Sequence, residues 1–191
     1  MGRTRPVSSQ LAPRFGAQRH VVRAEERPGT DKEETSMAQP ENYTTRTLTD
    51  HIGHDFGASQ GIVVDQAMIN TFADVTGDDQ WIHVDVEKAT KHGPFGGPVA
   101  HGFLTLSLLA SASQDAGVVP PDAKAVVNYG LGSVRFLAPV LSGSTVRAQY
   151  TLVAVEEKAP GSQLMTLKAT LQADGADKPA VVAELLAMVM G

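Results

Sequence analysis

The 191-residue chain contains no cysteine, which removes disulfides, thiolate nucleophiles and cysteine-built metal sites from consideration. It also lacks any apolar run near the roughly 20 residues that a membrane-spanning helix needs. The longest candidate, Phe103 to Ala112, is interrupted by Thr105 and Ser107. Aromatic residues are scarce, no basic stripe runs among them, and the formal net charge is -5, so the electrostatic grip that nucleic-acid binding requires is missing. No internal repeat and no βαβ alternation is present. What remains is ordinary globular composition, 42% apolar and 19% charged, in a chain long enough for one sizeable core and too short for two comfortable ones. A soluble, cytoplasmic protein is expected, with neither nucleic acid nor membrane as a partner.

Charge divides the chain. Met1 to Ala24 holds five arginines (Arg3, Arg5, Arg14, Arg19, Arg23) and no acid, and Glu25 to Glu34 is mixed charge around Pro28 and Gly29. Nothing there has apolar periodicity, so residues 1–36 are expected to be a disordered extension, with an organellar transit peptide as the compositional alternative. The folded domain is expected over 37–191.

Within that domain the first half has helical periodicity. Asp65 stands in N-cap position before Ile69, Phe72, Ala73 and Thr76, an i, i+3, i+4, i+7 set closed by Gly77. A shorter helix is signalled by Asp85 as cap, Glu87 in its first turn, Lys91 and His92 at its end and Gly93 beyond. A third starts at Gly102, with Phe103, Leu104, Leu106, Leu108 and Leu109 spread round its circumference, which predicts a helix buried on every side. The second half alternates with period two. Val146 to Ala154, Met165 to Ala173 and Val181 to Val189 read as strands separated by Ser142-Gly143-Ser144, Pro160-Gly161 and Asp174-Gly175, and Val126 to Phe136 precedes them. Short turns imply antiparallel neighbours. The expected class is therefore α+β, one antiparallel sheet against a buried helix.

Two segments could carry chemistry. In Phe72-Ala73-Asp74-Val75-Thr76-Gly77-Asp78-Asp79-Gln80-Trp81-Ile82-His83 a helix ends at a glycine, a carboxylate follows at once and a histidine stands five residues on. Spacing alone equally fits two ordinary polar loop residues. The apolar anchors Phe72, Trp81 and Ile82 suggest instead a packed connection, and packed polar groups must find partners. In Gly96-Gly97-Pro98-Val99-Ala100-His101-Gly102-Phe103-Leu104 a glycine opens a helix, leaving backbone N–H groups without intrahelical partners and open to a carbonyl oxygen. Such a glycine can also serve only the turn, and His101 can simply cap or pack. His51-Ile52-Gly53-His54 has two-ligand metal spacing but no third ligand in reach, so surface histidines are expected there. His92 reads as a helix C-terminal residue, and Tyr129 and Arg135 fall on a strand with no distinguishing spacing.

Together the two segments resemble the MaoC-like dehydratase family, especially its (R)-specific enoyl-CoA hydratases. Phe72, Gly77-Asp78, Ile82-His83 and His101-Gly102 carry the resemblance, which covers essentially Tyr43 to Met190. Gln80-Trp81 stands where Asn-Pro is commonest, and Ala110 where some members carry a serine. The resemblance implies a hot-dog fold, a curved antiparallel sheet wrapped round a central apolar helix, and a homodimer. It implies reversible addition of water to trans-2-enoyl-CoA to give (R)-3-hydroxyacyl-CoA, with neither cofactor nor metal. Asp78, not its neighbour Asp79, would be the base, His83 the water holder and proton donor, and the Gly102 N–H the oxyanion donor; Gln80, Trp81 and His101 would contact substrate. The competing readings are a hot-dog acyl-CoA thioesterase and a non-catalytic acyl-CoA-binding protein.

Overall fold

The structure, a computed structural model, describes residues 39–191; the expected extension over 1–36 lies outside the described residues. Local signals in the helical half act as read. The Asp65 carboxylate accepts from the Met68 N–H at 2.8 Å and starts α1 (Gln66–Thr76), which ends where Gly77 adopts φ 76°. That left-handed turn is open to glycine without a Cβ penalty. Asp85 caps α3 (Val86–His92) by accepting from the Lys88 N–H at 2.9 Å. Between them the connection contains a single helical turn, α2 (Trp81–Val84), that periodicity did not reveal. Four residues are too few for a period to show. The third helix is α4 (Gly102–Asp115).

Two short strands, β1 (Asp55–Ala58) and β2 (Ile62–Val64), precede the helices, and four long ones follow: β3 (Ala125–Phe136), β4 (Ser144–Ala159), β5 (Ser162–Ala173) and β6 (Val181–Met190). All pairings are antiparallel, in the order β1-β4-β5-β6-β3, with β2 also on β4. This is the expected α+β sheet with one correction. The turn signals put β3 beside β4, its successor in sequence, whereas β3 pairs with β6 at the far edge. The link from Leu137 to Gly143 is not a hairpin; its Leu141 bridges to Val99 and its Leu137 N–H bonds the Ala180 carbonyl.

The alternating sides of β4, β5 and β6 meet α4 in one apolar cluster that includes Val146, Ala148, Leu152, Leu167, Leu171 and Val189. α4 itself is not buried all round. Leu104, Thr105, Leu109 and Ala112 face the sheet, but Phe103 is 69% exposed and Ser107, Ala110 and Ser111 are open as well. The even spread of apolar residues thus reflects two faces of different fates. His51 and His54 are half-buried rather than superficial, packing edge-on against Tyr43 and Phe56. Near them the Thr45 N–H and hydroxyl both donate to Asp122, and the backbone donor holds that carboxyl below the usual carboxylate range.

Tyr150 pins the helix to the sheet. Its ring is 1% exposed, burial pushes its phenol well above the ordinary value, and the neutral hydroxyl donates to the Leu109 carbonyl at 2.6 Å. Tyr150→Phe removes that donor without changing ring volume. It should cost about 1 kcal/mol and lower the thermal midpoint by about 3 °C; an unchanged midpoint would show that the bond adds nothing net.

Candidate active site

The first chemical segment leaves α1 at Gly77 and runs across the surface before turning inward. Asp78, Asp79 and Gln80 are exposed, whereas His83 is 8% exposed. The expectation of a packed connection therefore holds only at its histidine end. The Asp78 carboxylate makes no hydrogen bond within the described residues; its N–H approaches the Thr76 hydroxyl at 3.3 Å.

His83 is held from below. Its Nδ1 lies 2.6 Å from the Val99 carbonyl oxygen, and because a carbonyl can only accept, Nδ1 carries the hydrogen. The opposite nitrogen, Nε2, has no hydrogen-bond partner among the described residues. The backbone supports the same contact, since the Val99 N–H donates to the Ile82 carbonyl at 3.1 Å. The second chemical segment is thereby stitched to the first.

His101 joins them. Its ring stacks on that of His83 with centroids 3.8 Å apart and packs against Phe72 at 5.0 Å. Its Nε2 donates to the Asp78 backbone carbonyl at 2.8 Å. One side-chain donor atom from each of Asp78, His83 and His101 lies within 4.8 Å of the other two. Two histidines and a carboxylate are a metal-type set, but lone pairs lie in the planes of imidazole rings. Rings inclined by only 26° and stacked face to face direct their in-plane lone pairs side by side rather than at one point, and His83 Nδ1 and His101 Nε2 are already bonded to backbone carbonyls, so the set is poorly arranged for coordination.

Gly102 follows His101 and is the first residue of α4. Among the described residues its N–H has no backbone acceptor, as the first helical N–H groups lack intrahelical partners. A Cβ at this position would meet the Phe136 ring at 3.2 Å, a tight contact that the ring would have to move a few tenths of an ångström to relieve. Gly102 lines a cleft of about 290 Å³ with Ile82, Phe95 and Phe136. One turn on, the open side of α4 lines a second, apolar cleft of about 300 Å³, where Leu106, Ala110 and Ser113 face Val126, Met165 and Leu185.

The remaining expected contacts are placed differently. Trp81 carries the Lys88 ammonium 4.8 Å from its ring centroid, a cation–π arrangement that draws it toward α3. Gln80 caps α2 without a side-chain bond. His101 is 2% exposed and faces the protein rather than a cleft. Sequence reasoning missed Val99, which acts through its backbone and leaves no side-chain signal, and Gln66, whose amide donates to the His83 carbonyl at 2.7 Å from seventeen residues upstream.

These contacts specify tautomers. Long-range proton–nitrogen spectra should find neutral His83 protonated at Nδ1 and neutral His101 at Nε2; the reverse tautomer at either ring would contradict the arrangement.

A sequence profile of the MaoC-like domain matches residues 47–174. The chain is similar to 3-hydroxyacyl-thioester dehydratase Z of Mycobacterium tuberculosis, 47% identical over 132 residues, which span 69% of this chain and 86% of that protein. Among solved structures it is similar to a monoamine oxidase regulatory protein from Archaeoglobus, with TM-score 0.64 and 29% identity over 73% of this chain and 90% of that one. It is also similar to the (R)-hydratase from A. caviae, with TM-score 0.58 and 25% identity over 71% and 94% respectively.

Proposed function

Because the chain belongs to the MaoC-like dehydratase family, whose hot-dog fold it has, we propose that it is an (R)-specific hydro-lyase. It adds water reversibly across the C2=C3 bond of a trans-2-enoyl thioester, of coenzyme A in the first instance, to give the (R)-3-hydroxyacyl thioester. The observation that carries this reading is the free carboxylate of Asp78 beside a buried His83 whose Nδ1–H is committed to Val99.

Water is a weak nucleophile. The Asp78 carboxylate takes the proton that leaves it as its oxygen bonds to C3. His83, neutral and with its Nδ1–H on Val99, accepts a hydrogen bond from the water at Nε2; the proton taken by Asp78 passes to Nε2 and from there to C2, so both groups end as they began. One hydroxyl and one proton are added in all. Such acid–base help is worth about 10²–10⁴-fold, so charge developing on the thioester oxygen also needs a donor. The unpaired Gly102 N–H supplies one; a single oxyanion donor is typically worth about 3 kcal/mol. The apolar cleft beside Leu106 and Ala110 suits the acyl chain. Gln80, exposed at the same turn, is assigned to the thioester's polar end. No step needs a metal or a cofactor.

A second copy of the chain is part of this reading. β3 is the terminal strand of the sheet and exposes Val127, Tyr129, Leu131 and Phe136, 47–63% open. A long apolar edge with unpaired backbone groups is a liability unless covered, and an antiparallel pairing of two such edges covers both.

Asp78→Asn and His83→Ala should each reduce the loss of conjugated enoyl absorbance about 10²-fold or more with folding intact, and chiral analysis should return the (R) product from wild type. Release of free thiol from saturated acyl-CoA would favour a thioesterase, and binding without turnover an acyl-binding protein; either result overturns the proposal. In solution the protein should scatter as twice its 20.2 kDa chain, and Tyr129→Lys should shift it toward the monomer. A monomeric wild type at micromolar concentration would remove the second copy from the account.

A further inference from the structure

The segment that carries the reacting pair is gripped at both ends by side chains that belong to neither role. At one end His101, 2% exposed, donates from Nε2 to the Asp78 carbonyl at 2.8 Å. Its other nitrogen, Nδ1, is buried and has no partner, so neither ring nitrogen is offered to a substrate. At the other end Gln66, in the first turn of α1, donates from Nε2 to the His83 carbonyl at 2.7 Å and to Asn70 Oδ1 at 2.8 Å. Both neighbours are acceptors, which sets the orientation of the amide. Between the grips Asp79 and Gln80 are exposed, and exposed turns with few apolar contacts open at low free energy.

We propose that His101 and Gln66 are positioning residues, a two-point clamp that sets the separation of the Asp78 carboxylate from His83 Nε2. The inference rests on the hydratase reading and deepens it, moving His101 from the substrate contact expected of it to a support behind the site. The physical need is plain. One water must be held by two groups at once, and a displacement of about 1 Å in such a pair can cost about 10²-fold in rate. Asp78 has no side-chain bond among the described residues to hold it, so its backbone carbonyl is where its position can be controlled. The same ring that takes that carbonyl stacks on His83, so displacement at one end of the segment is felt at the other.

The test uses the full-length protein and four variants. His101→Ala and Gln66→Met remove the donors; His101→Gln keeps a donor at the same distance along the side chain; and His101→Ala/Gln66→Met combines the losses. With trans-2-enoyl-CoA, the two single losses should lower kcat about 10- to 100-fold with KM within about twofold, because neither side chain touches substrate. His101→Gln should recover most of that rate. Amide exchange should rise at residues 78–83 in both single variants and further in the double, with little change in the β4–β5 pairing. A raised KM at unchanged kcat would make His101 a substrate contact and overturn the clamp. So would equal losses in His101→Ala and His101→Gln, or unchanged exchange at 78–83 in variants that melt as wild type does. If the wild type itself turned over no enoyl substrate, the hydratase reading would fall, and the exchange measurements alone would decide whether the clamp exists.

Discussion

Pro98, Val99 and Ala100 bond in two directions, and the geometry of the site depends on that. Toward the helical half, Val99 takes the His83 ring hydrogen on its carbonyl and gives its N–H to Ile82. Toward the sheet, the Ser142 N–H bonds the Pro98 carbonyl, the Ala100 N–H bonds the Val140 carbonyl, and Val99 bridges to Leu141. A buried imidazole with an unpaired N–H would lose the worth of a hydrogen bond and gain freedom to rotate. With that N–H committed, the ring has one tautomer and one orientation when neutral. Because α4 begins at Gly102, just after this segment, the helix N-terminus and the histidine are referenced to the same short piece of backbone.

The helix gives the site its second wall. One side of α4 is buried against β4, β5 and β6 and is held by Tyr150, while the other faces an apolar cleft and an uncovered edge strand. Burial of the first side at about 25 cal/mol per Å² is what makes the helix rigid. The second side is where a hydrophobic chain can lie. The apolar surface left unburied there lies within a turn or two of the unpaired Gly102 N–H. Surface charge contributes little to this arrangement, since the described ion pairs, Lys91 with Glu87, Arg147 with Asp174 and Lys158 with Glu156, are exposed.

The extent to which this was legible in the residues follows the range of the interactions. Asp65, Gly77 and Asp85 act within one helical turn, and each was read correctly as a cap or stop. The period-two runs of β4, β5 and β6 are equally local and equally clear. The partner of β3 was not, because a turn signal reports that a chain reverses and not which strand it returns beside. α4 was misjudged for a related reason. Leucine on all sides states that no side is polar, and only the position of the sheet decides which side is covered. Asp78, His83 and Gly102 stand out among the residues only through a family pattern of residue types. Val99 and Gln66 were invisible, one because it acts through its carbonyl and the other because a glutamine in a first turn looks like any other.

By itself the sequence determined the class of fold, the caps that start and stop the helices, the absence of thiol chemistry and the short list of groups able to move a proton. Tertiary structure alone decided that His101 stacks behind His83 and grips Asp78, that Trp81 turns toward Lys88, and that the edge strand and one face of the central helix stay open. The physical reason is one of distance along the chain. Propensity, capping and periodicity are set by neighbours a few residues away, whereas a hydrogen bond from residue 101 to residue 78 exists only once the backbone between them has been folded back by everything else that packs.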